Sequence, residues 1–386
     1  SRRRHTRSLC DWSSDVCSSD LQSSMRISVT TENRELNVIL DPESYQLKEA
    51  VINASAEDPA YAIIRKAIKM RKKYLNEIET YSCRSYVKST QKLITYPKKI
   101  LGQEVNFGDM LDTVSRILYL SESVANLSFD GPGRVKEEMI SSKVSGDNRS
   151  FSINKSADLL VSFYENLITL GNLFNRGIVS PISATAMLYY DYHLEGTFYQ
   201  NGETVNKIKV IPKRKHDPVF TGDIYILDDS WRIHSLDLFI TKDQQVDFVD
   251  TLRISENYVP VDKKTWMIFN SEFNFEFSVF GFHGKGVILG VFNDYNIHPD
   301  FPKHHFDNEV LKIRKDANHK DTVYWATERP VPLTQEESRD YIKRDSICHL
   351  GQQGAGQKSW RETNLTWDDG HTHLHHIFLI SLEAEG

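Results

Sequence analysis

The sequence predicts an α+β fold: a long, curved antiparallel sheet forming a half-barrel, with helices on its concave face and remnant strands of a β-sandwich ahead of it. Three observations lead there. Between residues 189 and 297 large apolar side chains recur at every second position, over segments longer than a strand's usual five or six residues. Short polar turns, Asn201-Gly202, Asp217-Pro218 and Asp228-Asp229-Ser230, separate those segments at hairpin spacing. Upstream, Asp58-Pro59 supplies an N-cap and an N1 proline to a segment of helical periodicity.

Residues 1–24 stand outside this fold. The run Asp11-Trp12-Ser13-Ser14-Asp15-Val16-Cys17-Ser18-Ser19-Asp20-Leu21 resembles the translation of a sequencing-library adapter and lacks the h-region of a signal peptide. Arg2-Arg3-Arg4 is therefore not read as an interaction tail, and the natural start, with any export signal, is expected to be missing. Residues 25–53 hold two short β-like pieces, 26–30 and 36–40, followed by Glu49-Ala50-Val51-Ile52. They cannot bury a core alone and read as the last strands of a truncated β-sandwich.

The main domain is expected over 57–347. Its helix places Ala60, Ile63, Ile64, Ala67, Ile68, Leu75 and Ile78 on one face and Arg65, Lys66, Lys69, Arg71, Lys72 and Lys73 on the other. Alternation in Tyr81-Ser82-Cys83-Arg84-Ser85-Tyr86-Val87-Lys88 and in Arg116-Ile117-Leu118-Tyr119-Leu120-Ser121-Glu122-Ser123 predicts two strands. The polar stretch 131–155, with Gly131-Pro132-Gly133 and Gly146-Asp147-Asn148, reads as a long loop. A second helix is expected over 156–174, with Leu160, Phe163, Tyr164, Leu167, Ile168 and Gly171 on one face and a thin polar face over a cover or a cavity.

The meander follows in roughly seven strands. Tyr190, Tyr192, Leu194 and Phe198 open it. Asn206, Ile208 and Val210 come next, then Phe220, Ile224 and Ile226, then Leu236, Leu238 and Ile240. Val246, Phe248, Leu252 and Ile254, then Phe273, Phe275, Phe277 and Val279, then Val287, Leu289 and Val291 complete it. Thr334-Gln335-Glu336-Glu337 opens a short charged helix to about residue 345, and 348–386, with its His371, His373, His375 and His376, reads as a frameshifted or disordered tail.

Composition narrows the function. A net charge of −6 gives no global attraction to nucleic acid or anionic lipid, and no stretch reaches the roughly 20 apolar residues of a spanning helix. Cys10, Cys17, Cys83 and Cys348 show neither metal-ligand nor disulfide-framework spacing. His304-His305 with Asp300 and Asp307 lacks a third ligand at a defensible spacing. Ser152-Ile153-Asn154-Lys155 and Ser89-Thr90-Gln91-Lys92 match Ser-x-x-Lys without its catalytic partners. No catalytic residue, cofactor or metal is expected. The basic turn around Lys213, Arg214 and Lys215, with Lys209 and His216, is a solvated hairpin or a contact for lipid headgroups.

Several blocks occur in order: Asp58-Pro59-Ala60-Tyr61 with Ile63-Ile64-Arg65-Lys66-Ala67-Ile68, Tyr81-Ser82-Cys83 with Tyr86-Val87-Lys88, and Tyr119-Leu120-Ser121-Glu122-Ser123. Lys136-Glu137-Glu138-Met139-Ile140-Ser141-Ser142-Lys143-Val144-Ser145-Gly146, Asp217-Pro218-Val219-Phe220, Asp229-Ser230-Trp231-Arg232-Ile233 and Arg329-Pro330-Val331-Pro332-Leu333-Thr334 continue the series. Over roughly 36–347 these blocks resemble a family of Gram-negative outer-membrane proteins known as carboxypeptidase-like regulatory domain proteins with a large domain of unknown function. The resemblance implies a transthyretin-like regulatory sandwich ahead of the domain, an outer-membrane β-barrel after it, and no peptidase activity.

The order of helix, strands and long meander also resembles the periplasmic lipoprotein-carrier fold. In such a half-barrel Tyr190, Tyr192, Leu194, Phe198, Phe220 and Ile224, with Phe163 and Leu167 of the second helix, would line an apolar cleft for acyl chains. The expected function is that of a non-enzymatic periplasmic domain of an outer-membrane protein, its partners the outer membrane or its own barrel and a lipid or lipoprotein, with no nucleic acid. A structural adaptor between sandwich and barrel, strands of a transmembrane barrel, and an envelope polysaccharide enzyme using Glu195, Asp223, Asp228 and Asp229 are the alternatives.

Overall fold

The computed structural model describes residues 57–100, 103–104, 115–131, 133–145, 155–170, 177–200, 202–244, 249–279, 281–306 and 310–354, with backbone alone beyond 346. The adapter-like start, the sandwich pieces at 25–53, the tail histidines, Ser152, Val246, Phe248, Asp307 and the side chains of Cys10, Cys17 and Cys348 lie outside the described residues.

Helix α1 (Pro59–Leu75) begins where Asp58 Oδ1 accepts the Ala60 amide at 2.9 Å. Its buried stripe is Ala60, Ile64, Ala67, Arg71 and Tyr74, the helical repeat of one face. Arg71 was expected on the solvated face. Four positions beyond Ala67, it instead falls on the buried stripe, where its Nη1 donates to Tyr164 O at 2.5 Å.

Strand β1 (Thr80–Thr95) is followed by a two-residue pair, β2 (Lys99–Ile100) with β3 (Gln103–Glu104), then β4 (Ile117–Asp130) and β5 (Val135–Val144). A second short pair, β6 (Leu167–Ile168) with β7 (Ile178–Val179), and the single turn α2 (Ala186–Tyr189) lead into the meander. It comprises β8 (Tyr190–Gln200), β9 (Glu203–Pro212), β10 (Thr221–Leu227), β11 (Ile233–Thr241), β12 (Thr251–Pro260), β13 (Trp266–Val279) and β14 (Phe282–Asn296). Strand β15 (Leu311–Ile313), α3 (Thr322–Glu328) and α4 (Gln335–Gly354) end the described chain.

Eleven strands form one open, curved sheet in the order β15-β5-β4-β1-β14-β13-β12-β11-β10-β9-β8. The chain enters in the middle at β1, builds outward through β4 and β5, crosses to the far edge, and returns until β14 pairs with β1, Ser85 opposite Phe292. The α+β class and the long curved antiparallel sheet are those the sequence predicts; the remnant sandwich strands lie outside the described residues.

Three local expectations are corrected. The stretch 156–174 contains no long helix among its described residues: a single 3-10 turn, Ser156–Leu159, gives way to extended chain and the β6–β7 ribbon. Leu159, Val161 and Phe163 are buried at every second position, and β-branched and aromatic residues favour that extended course over a helix. The stretch 131–155 holds the ten-residue β5, whose polar residues find partners where both faces are covered. In β14 the residues facing α1's side of the sheet are Ile288 and Phe292, whereas Val291 and Leu289 pack on the other side with Tyr86, Val124 and Trp325. Both faces of β14 are covered, so apolarity alone cannot assign its inner face.

That outer face carries the C-terminal segment, which buries Trp325 and Tyr341 against it and is pinned there by charged groups. Buried Glu122 receives Arg329 through two bonds of 2.6 Å and Tyr86 Oη at 2.7 Å. Glu337 accepts Thr90 Oγ1 at 2.9 Å and Lys88 Nζ at 3.1 Å. It also closes a capping box with Thr334 at the start of α4. Asp340 takes Ser145 Oγ at 2.6 Å and Arg344 Nε at 3.0 Å.

Candidate functional site

The face beneath α1, the inner face, reads directly from strand register. One row of opposed residues runs Leu194, Ile208, Ile224, Leu236, Glu256, Ser271, Gly290, Val87, Ser123 and Ser142 from β8 across to β5. The next runs Tyr192, Val210, Gly222, Leu238, Ile254, Phe273, Ile288, Ser89, Ser121 and Val144. Half of the face is therefore aliphatic and aromatic, and the other half is largely serine and glycine.

The apolar half has two covers. Helix α1 presses Ala60, Ile64 and Ala67 onto the core, and Tyr61 meets Tyr192 edge to face at 5.6 Å. Asp58 fastens its start to the sheet edge: beyond capping the helix it accepts Leu194 N at 3.1 Å and lies 2.6 Å from His193 Nδ1. Burial raises the Asp58 carboxyl's pKa, but the Ala60 and Leu194 amides and His193 outweigh that and hold it below the ordinary range.

The second cover is the crossing segment, described over 155–170 and 177–189. Glu137 on β5 receives the amides of Ser156 and Ala157 at 3.1 and 3.3 Å and so anchors its beginning. Leu159 then lies over Gly290, and Phe163 packs against Phe220 at 5.5 Å. Tyr164 Oη accepts Ile233 N at 2.9 Å. Further along, Ser180 Oγ donates to Phe163 O at 2.6 Å, Tyr192 Oη to Pro181 O at 2.6 Å, and Tyr190 Oη to Val179 O. Those last three bonds end on backbone carbonyls, and the side chains Leu159, Val161 and Phe163 that the cover presses onto the core are apolar.

Of the expected cleft residues, Tyr190, Tyr192, Leu194, Phe220, Ile224 and Phe163 meet in this one core. Phe198 does not. A bulge between Leu194 and Gly196 inserts Glu195, and beyond it the side chains of β8 exchange faces, so Phe198 meets Tyr225 and His234 edge to face on the other side. Leu167 lies in the ribbon and is 52% exposed.

Buried polar groups on the inner face escaped the sequence reading. Glu256 is fully buried, takes Tyr258 Oη at 2.8 Å and Ser271 Oγ at 3.4 Å, and has no described cation beside it. Burial pushes its carboxyl up to about 8, well over the effect of those hydrogen bonds, so it is mainly protonated at neutral pH. Burial also raises Glu137, and lifts the Cys83 thiol to about 12, which makes that cysteine inert. The signal for Glu256 was its place in the alternation Leu252, Ile254, Glu256, Tyr258.

The basic turn is paired. Lys213 Nζ lies 3.6 Å from Asp191, Arg214 Nη1 3.8 Å from Asp217 and Lys215 Nζ 2.9 Å from Asp243. Lys207 and Lys209 pair with Glu195 and Asp223 across strands, a solvated charge ladder on the outer face. Among the described residues no three His, Cys, Asp or Glu side chains converge as a metal site, and no helix is long and apolar enough to cross a membrane.

Solved structures similar to this chain include a DUF1329 family protein from Desulfovibrio piger, at 13% identity and TM-score 0.27, covering 66% of this chain and 100% of that one. A LolA superfamily protein from Nitrosomonas europaea follows at 10% and 0.22, covering 64% and 97%. The MucA/MucB complex of Pseudomonas aeruginosa gives 10% and 0.18, covering 64% and 98%. Likenesses this loose carry no argument about activity, and no curated protein matches the sequence. The profile of the family of unknown function DUF5686 matches residues 63–295, more than half of the chain, and the chain belongs to that family.

Proposed function

We propose that this domain binds an acyl chain, from a lipid or a lipoprotein, on the apolar half of its inner face, and that it does so without catalysing a reaction. The observation that carries this reading is the nature of the cover. A continuous apolar surface across β8–β12 is closed by one helix and one largely non-helical segment, not by a second sheet or a helical layer. Apolar contact is non-directional, so an acyl chain can replace what Leu159, Val161 and Phe163 supply. Each buried methylene contributes about 0.8 kcal/mol, so a long chain offers on the order of 10 kcal/mol against the loss of those contacts.

The location, on the periplasmic side of the outer membrane beside a β-barrel, rests on the sequence blocks quoted above. Lys213, Arg214 and Lys215 would face headgroups there by exchanging their carboxylate partners for phosphate.

Native mass spectrometry of the chain, purified without detergent from a Gram-negative periplasm, tests the reading. An added mass that fragments as lipid is expected. A clean unliganded mass from folded protein would favour the structural adaptor, for which the charge-fixed outer face is the supporting feature.

A further inference from the structure

The serine-rich half of the inner face is not needed by an acyl chain. At its centre Ser89 on β1 opposes Ser121 on β4, and one row away Ser123 opposes Ser142 on β5. Ser271 faces Gly290 and, on its other side, Glu256. All five serines are at most 2% exposed. Serine is a weaker strand former than valine, isoleucine or threonine, and a buried hydroxyl without an acceptor is unfavourable. Ser89 Oγ is such a group: it has no hydrogen-bond partner among the described residues. Ser85, by contrast, spends its hydroxyl on Ala125 O at 3.3 Å, as a purely structural serine does.

The strip joins the apolar half without a break. Leu194, Ile208, Ile224 and Leu236 lead in one row to Glu256, Ser271, Gly290, Val87, Ser123 and Ser142. From Leu194 to Glu256 is four strand spacings, about 19 Å at ~4.8 Å each, the reach of a long extended acyl chain. Leu159 of the crossing segment lies over Gly290 within the strip, so displacing that segment uncovers the apolar row and the serines together.

We propose that Ser89 and Ser123, with Ser271 and the Glu256 carboxyl at their edge, form a polar subsite for the uncharged ester and hydroxyl groups of an acylglycerol whose chain lies along Leu236, Ile224, Ile208 and Leu194. This rests on the acyl-binding reading above. Among the described residues the strip holds hydroxyls and no cation. A fixed anionic head would find no described cation to pair with there, whereas an ester carbonyl can accept from the serines and a glycerol hydroxyl can donate to Glu256.

Displacement of bound cis-parinaric acid from the full chain, by monoolein, oleic acid and lysophosphatidylglycerol in turn, tests it. Monoolein is expected to compete at least tenfold better than the other two. The Ser89→Ala/Ser123→Ala variant should lose about tenfold of that preference, the worth of two ordinary hydrogen bonds, while still binding parinarate. Ser85→Ala should keep the preference. Thermal melting establishes folding, and the single variant Ser89→Ala, expected to lose part of the preference, serves if the double variant is unstable. If parinarate binds but the preference is absent, or survives both serine variants, or lysophosphatidylglycerol competes best, the polar subsite is wrong and acyl binding stands. If parinarate does not bind at all, the acyl-binding reading has failed and the subsite with it.

Discussion

The two faces of the sheet are covered by different physics. Outside, the C-terminal segment packs Trp325 and Tyr341 on the sheet and is pinned by ion pairs: Arg329 forks onto Glu122, Lys88 meets Glu337, and Arg84 meets Glu328. Inside, apolar packing dominates, with Asp58 and Glu137 anchoring the starts of α1 and the crossing segment, and the two buried carboxyls there, Glu137 and Glu256, have no described cation partner. Directional charge contacts specify one docked arrangement, and removing one partner is costly. Apolar contact specifies little beyond dryness and shape. On the acyl-binding proposal, the outer cover stays in place and the inner one is exchanged for ligand.

The comparison is most sharply broken at Arg329. Arg329→Ala leaves Glu122 buried and unpaired and should cost about 3–5 kcal/mol in chemical denaturation. Replacing both partners, Glu122→Leu with Arg329→Met, should recover most of it. A single variant as stable as the parent would mean that charge does not hold the outer face. Inside, Leu159→Ala should cost about 2–3 kcal/mol, and because it thins the cover it should also speed uptake of a fatty-acid probe in stopped flow. Lost stability with unchanged uptake would make Leu159 ordinary core.

Protons should act oppositely on the two faces. Glu256 sits near 8 when folded and near the ordinary 4.5 when unfolded. The unfolded chain thus ionises first, and stability falls as pH rises from about 4.5 to 8. Glu337 is shifted down: burial alone would raise it, but Lys88, the Thr334 amide and Thr90 prevail. Its contribution is present above the unfolded value and is lost as pH falls through the folded one. Glu256→Gln should flatten the alkaline loss, by on the order of 1–3 kcal/mol between pH 5 and 8. A parent and variant with parallel pH profiles would remove Glu256 from the account.

The smallest effect belongs to the basic turn. Lys213→Ala, Arg214→Ala and Lys215→Ala together should leave the melting temperature unchanged, because exposed pairs contribute little. Their association with anionic vesicles should fall; unchanged association would discard headgroup contact at this turn.

Alternation made the meander legible. Tyr190, Tyr192 and Leu194, or Leu236, Leu238 and Ile240, announce a face because that side is dry and the other wet. Where both sides are covered the signal disappears: β5 carries Glu137 inward and Glu138 outward, each satisfied by a partner that only the fold supplies. The bulge at Glu195 shifted Phe198 to the outer face without a mark in the sequence. Arg71 looked solvated because its charge outweighed its helical phase. The inner serines were visible as residues, yet their row exists only once β1 has paired with β4 and β14.

Hydrogen–deuterium exchange with and without oleate tests the central claim most directly. Exchange at the amides of 156–168 and 178–189 should rise on binding while 322–346 stays protected, since the ligand replaces the inner cover and leaves the outer one in place. Unchanged protection over the crossing segment with oleate bound, or loosening of both faces alike, would contradict an exchangeable inner cover on a fixed outer frame.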